Sequence, residues 1–252
     1  MHLFEILVVL HVITGATGLI AFWVPIVTKK GAVNHRRWGR TCCYGFMGAG
    51  ALAVAMALLS LYGPEERIPS VTDRLLFEGL FGWMMLYLGL LTIGFADYGL
   101  AVVKHSRNRE ALRGLRYQTV IAAVLASAAY CFWFGFGIGE VLMMAVAVLG
   151  LVAMGIQQLY IWRAVPPTPR SYVGEHFRAL VGMGISAYTA FMSVGLIRYI
   201  PEHVFNPLVW ALPSTVGVAL IIGFSLQAKR KAAPKSGKSA KPQISEPSST
   251  SA

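Results

Sequence analysis

The groups able to do chemistry in this chain are few: six histidines and eleven carboxylates among 252 residues. Most fall within or at the ends of long apolar stretches. An ionisable side chain there costs at least about 2.5–3.5 kcal/mol, so each is a functional candidate by default. They sort into two layers. One holds Glu5, His11, Glu78 and Glu140, with His203 in a nearby loop. The other holds Asp97, His105, Glu175 and His176, with His35 in a preceding loop and Gln157 and Gln158 just above.

His11 is the deepest of the histidines. An imidazole so placed is either a haem or metal ligand, a proton relay, or a neutral ring donating to a backbone carbonyl or to Glu78. Paired with His176, it is the candidate axial ligand set of a b-type haem. His35, His105 and His176 come from three separate segments, and three imidazoles beside the Asp97 carboxylate suit zinc or another transition metal. No HxxxH or HExxH spacing presets two ligands on one helix, so any such centre has to be assembled by the fold. Glu78, Asp97 and Gln157 are the candidates for a polar core or proton path. Arg74 stands four residues before Glu78, and Lys104 two turns after Asp97, so intrahelical ion pairs are easy for both carboxylates. His35-Arg36-Arg37-x-x-Arg40 is a dense cationic patch, in which Arg36, Arg37 and Arg40 are placed to meet anionic headgroups or a phosphate. No nucleotide-binding loop, Ser-His-Asp order or zincin motif is present.

The elements that must position these groups are membrane helices. The chain is 56% hydrophobic and 13% charged, with mean hydropathy +0.60. Soluble domains carry about 25% charged residues, so lipid has to replace water over most of this surface. Seven apolar stretches cover roughly 3–27, 41–62, 75–103, 117–138, 139–163, 177–199 and 206–227. Each is long enough, at about 1.5 Å per residue, to cross a hydrocarbon core of about 30 Å. The expected fold is all-α, a polytopic transmembrane bundle of seven spans over residues 1–227. Residues 228–252, rich in Lys, Pro and Ser, read as a disordered basic cytoplasmic tail. The first stretch has no basic leader and carries Glu5, so it reads as a retained helix, not a cleaved signal.

Charge placement sets the expected orientation. The formal net charge is +11. All the Lys and Arg residues except Arg67, Arg74 and Arg198 fall in loops 28–40 and 104–116, segment 163–178 and the tail. That asymmetry puts the N-terminus outside and the C-terminus in the cytoplasm of the plasma (inner) membrane. The same placement assigns the basic excess to anionic lipid and argues against nucleic acid as a partner. Small residues supply the expected packing faces, Gly45, Ala49, Ala53 and Ala57 in the second span and His11, Gly15, Gly18 and Phe22 in the first. Cys42, Cys43 and Cys131 form no paired framework and read as apolar packing residues.

His11-x-x-x-Gly15-x-x-Gly18-Leu19, followed by Lys30-Gly31-x-x-x-His35-Arg36-Arg37-x-Gly39-Arg40, resembles the opening of the bacterial membrane-protein family called domain of unknown function 2306. The run from Glu175-His176 to Phe191 is similar to the later histidine-containing helix of that group. The resemblance implies a multi-helix bundle and marks His11, His35 and His176; it implies no reaction. Three functional expectations follow from the residues: a histidine-based haem- or metal-binding redox protein, a proton-coupled small-molecule transport or binding protein, and a structural or partner-binding membrane protein without catalysis.

Overall fold

The computed structural model describes residues 3–62, 73–165, 170–192 and 207–232. Among the described residues there is no strand, and seven long helices account for most of the chain: α1 Leu3–Val27, α2 Val33–Tyr62, α3 Arg74–Lys104, α4 Leu115–Ile138, α5 Val141–Trp162, α6 Ser171–Ala190 and α7 Pro207–Ala232. Five of them, α1 to α5, are long and apolar enough to cross a membrane, and α7 carries a shorter apolar stretch, Ala211–Leu226.

The helices follow the predicted stretches, with three differences. The second helix begins at Val33, so His35, Arg36, Arg37 and Arg40 occupy its first two turns and do not lie in a loop. Gly31, at φ 77°, makes the preceding reversal, and nothing after Val33 breaks a helix. The sixth helix likewise starts early, at Ser171, which places Glu175 and His176 inside it. The last helix runs to Ala232, past residue 228, because Ala, Lys and Arg are strong helix formers and no proline follows Pro213 until Pro234. The expected disorder of the rest of the tail lies outside the described residues.

α3 is the centre of the bundle. Its most apolar 18 residues are 67% buried, against 17% for α1. It packs against α2, α6 and α4; α1 packs on α2, α5 on α4 and α7 on α6. Glycines set the tightest approaches. A Cβ on Gly50 would stand 2.8 Å from the Gly89 carbonyl oxygen, and one on Gly89 equally close to the Gly50 oxygen, so α2 and α3 cross in backbone contact. The predicted stripe of α1 packs as expected, with a Gly45 Cβ falling 3.0 Å from the Gly18 nitrogen. Near its start α3 widens into a π-helical stretch, Glu78–Met84. α4 and α5 are joined by the left-handed Gly139, at φ 74°, followed by Glu140, whose carboxylate accepts from the Leu142 N–H at 3.3 Å.

The α1–α2 turn and the α3–α4 connection, with its single 3₁₀ turn Arg109–Arg113, carry the Lys and Arg clusters and define a basic end of the molecule. At that end Lys30 donates to the carbonyls of Pro25 at 2.8 Å and Ile26 at 2.6 Å, closing the C-terminus of α1. Partial burial in that position pulls the ammonium below the ordinary lysine range.

Candidate functional site

Three helix ends meet at the basic end: the start of α2, the last turns of α3 and the first turns of α6. Gly99 lets α6 close on α3, since a Cβ there would stand 2.5 Å from Leu180 Cδ2. That approach brings His176 Nδ1 to 2.7 Å from the Gly99 carbonyl. His35 makes the matching bond across the α1–α2 hairpin, Nδ1 to the Pro25 carbonyl at 3.1 Å. The two imidazoles then lie side by side, with ring centroids 6.4 Å apart and planes inclined at 61°. A carbonyl oxygen only accepts, so each Nδ1 carries a proton, and in the neutral tautomer that this fixes the lone pair is on Nε2.

Beside this pair lies a carboxylate network. Glu175 is 4% exposed, accepts from the Tyr98 hydroxyl at 3.1 Å and is bridged by Arg178 one turn along α6. Asp97, 9% exposed, pairs with Arg116 at 2.7 Å. Arg116 also lies over the Tyr117 ring at 4.6 Å, and the Tyr117 hydroxyl meets His105 Nε2 at 3.0 Å. A cavity of about 10 Å³ is lined by Asp97, Tyr98, Tyr117 and apolar neighbours. That is about the space one water needs. Further round the same end, Arg109 and Arg113 lie over Tyr160 and Trp162 at 5.5 and 5.0 Å.

Several expected groupings do not form. His176 stands beside His35 at the start of α2, whereas His11 donates Nδ1 to the Ala49 carbonyl at 2.9 Å, in the middle of that helix. At the α-helical rise, His35 and Ala49 are about 21 Å apart. His11 and His176 therefore cannot ligate opposite faces of one haem. The centre built from His35, His105 and His176 does not assemble either. His105 is turned to Tyr117, and among the described residues no three His, Cys, Asp or Glu side chains gather closely enough to hold a metal ion. Asp97 chooses Arg116 over Lys104, because α4 delivers the guanidinium directly at the carboxylate.

The structure places the other candidates as follows. Glu78 bonds Arg74 at 2.9 Å at the end of the molecule opposite the basic cluster. Gln157 is buried, at 4% exposed, and no donor among the described residues reaches its Oε1. Arg36, Arg37 and Arg40 are exposed on the first turns of α2. Cys42, Cys43 and Cys131 are buried free thiols.

Tyr98, Arg178 and Arg116 belong to this cluster although the sequence does not single them out, and it assigns Glu175 no specific role. Glu175-x-x-Arg178 is a legible i,i+3 pair, and Tyr98 follows Asp97 directly. That Tyr98 serves Glu175, 77 residues away, is written only in the packing of α3 on α6. No family model matches the chain, and neither curated proteins nor solved structures offer a significant match.

Proposed function

We propose that this chain is a seven-span protein of the plasma (inner) membrane, with its N-terminus outside and its basic end and C-terminus in the cytoplasm, that couples proton binding to the binding or movement of a small molecule. In this reading Arg36, Arg37 and Arg40 rest on anionic headgroups, which attract each cation by about 1 kcal/mol. The buried carboxylates Asp97 and Glu175 carry the exchangeable proton.

One observation carries the proposal. Two carboxylates under a tenth exposed are linked through consecutive residues of α3, Asp97 lining the cavity and Tyr98 lining it while also donating to Glu175. A tyrosine hydroxyl donates and accepts at once, so with one water in the cavity between Asp97 and Tyr98 a proton leaving Asp97 reaches Glu175 by three short transfers. Arg116 pairs with Asp97 and Arg178 with Glu175, so a proton or ligand that reaches either carboxylate has to compete with a guanidinium. Intramembrane acidic residues in this setting are the usual parts of proton-coupled carriers.

The test is proton movement in proteoliposomes loaded with a pH-sensitive dye. Purified protein is challenged, under an imposed membrane potential, with a panel of amino acids, organic acids, sugars and lipophilic cations. At least one class should change the internal pH, and Glu175→Gln and Asp97→Asn should abolish the response. Vesicles that respond no differently from empty ones to every class would leave the buried groups with a packing role alone.

A further inference from the structure

We propose that His35 and His176 form a two-coordinate site for one soft monovalent metal ion, of the copper(I) type. The site uses neither Asp97 nor Glu175, and so goes beyond the proton-coupled reading.

The argument starts from the tautomers. Nδ1 of each ring is committed to a main-chain carbonyl, Pro25 for His35 and Gly99 for His176. This is how metal-ligating histidines are held: the second ring nitrogen anchors the imidazole and leaves Nε2 free for the ion. Two such rings stand within reach of one another. Two imidazoles each about 2 Å from a shared ion have ring centroids roughly 6 Å apart. The observed separation is 6.4 Å, with the rings inclined at 61°, a rotation that a linear N–metal–N axis tolerates.

The surroundings select the ion. Zinc asks for about four ligands, and among the described residues no third His, Cys, Asp or Glu joins the pair. Glu175, next in sequence to His176, is already held by Tyr98 and Arg178. Lys30 also lies at the Pro25 carbonyl, and Arg36 and Arg37 follow His35 directly. A divalent ion meets twice the repulsion of a monovalent one from these cations. A filled-shell monovalent ion needs only two neutral nitrogen donors, and imidazole is a good ligand for copper. Both rings are half-buried, which leaves the ion an approach from the basic end.

The experiment titrates copper(I) into the detergent-purified full chain, anaerobically and against a chromogenic copper(I) chelator. One ion per chain is expected. Affinity should fall at least about tenfold in His35→Gln and in His176→Gln. Glutamine keeps an N–H for the carbonyl but removes the ring nitrogen, so folding is preserved. His11→Gln, His105→Gln and the Cys42→Ser/Cys43→Ser double variant should bind like the parent. X-ray absorption of the loaded parent should report two nitrogen neighbours and no sulfur, a readout independent of any variant. Absence of stoichiometric binding, sulfur ligation, tighter binding of zinc than of copper(I), or retention of the ion in both glutamine variants would each overturn the site.

Discussion

Each buried carboxylate at the basic end is paired with a guanidinium, Asp97 with Arg116 and Glu175 with Arg178, and the pairing sets what a substitution does. Arg178 is half-exposed but its acceptor, Glu175, is not. Removing the guanidinium strands a carboxylate in the bundle. Arg178→Gln should therefore lower stability in detergent by about 2 kcal/mol, and Glu175→Gln/Arg178→Gln should recover part of that loss. Thermal melts of the three proteins decide the matter: a double variant less stable than the sum of the singles contradicts the pairing. Gln157 behaves oppositely. Its Oε1 is buried without a donor among the described residues, so Gln157→Met should leave the melting temperature unchanged or raise it by the equivalent of about 1 kcal/mol. A clear drop in melting temperature would mean that the amide serves a partner that the described residues do not supply.

Among the helices, the backbone crossing of α2 and α3 is the contact least able to yield. Between membrane helices the hydrophobic effect gives little, and close approach gives most of the packing. A side chain on Gly50 meets the Gly89 carbonyl oxygen at 2.8 Å, and a backbone atom cannot move aside as a side-chain tip would. Gly50→Val should cost about 1–3 kcal/mol and broaden the unfolding transition. Gly155 is the control, since a Cβ there finds nothing within 4 Å; Gly155→Ala should be neutral or better. Equal melting temperatures for the two variants would refute the crossing. The same logic explains the burial of Tyr87, whose hydroxyl reaches the Val146 carbonyl at 3.0 Å because Gly150 leaves room for it.

For the molecule as a whole, the testable property is orientation. The α1–α2 turn, the α3–α4 connection and the start of α6 share one end, the one rich in Lys and Arg. If that end faces the cytoplasm, a phosphatase active only outside should be silent when fused after Arg116 and active when fused after Gly139. A cytoplasmic fluorescent reporter should show the reverse. Activity of the phosphatase after Arg116 would invert the topology. Replacing Arg36, Arg37 and Arg40 together with Gln should weaken co-purification of anionic lipid, measured by mass spectrometry, without changing the melt by more than about 1 kcal/mol.

Composition and hydropathy are enough to specify a helical bundle and to place most helix ends within about two residues, because an apolar run in lipid must satisfy its backbone hydrogen bonds internally. The local pair Arg74–Glu78 was legible for the same reason: its geometry is contained in four residues of helix. The boundaries at Val33 and Ser171 were harder, since polar helical turns carry no hydropathy signal. Partner choice across helices was beyond reach. Asp97 takes Arg116 and not Lys104, Tyr98 serves Glu175, and His176 faces His35 while His11 stays about 21 Å away along α2. Each of these depends on the relative rotation and depth of helices, which small residues such as Gly50, Gly89 and Gly99 decide by how closely they let backbones approach. Residue types therefore named the chemistry available, and only the packing of α2, α3 and α6 determined which groups meet.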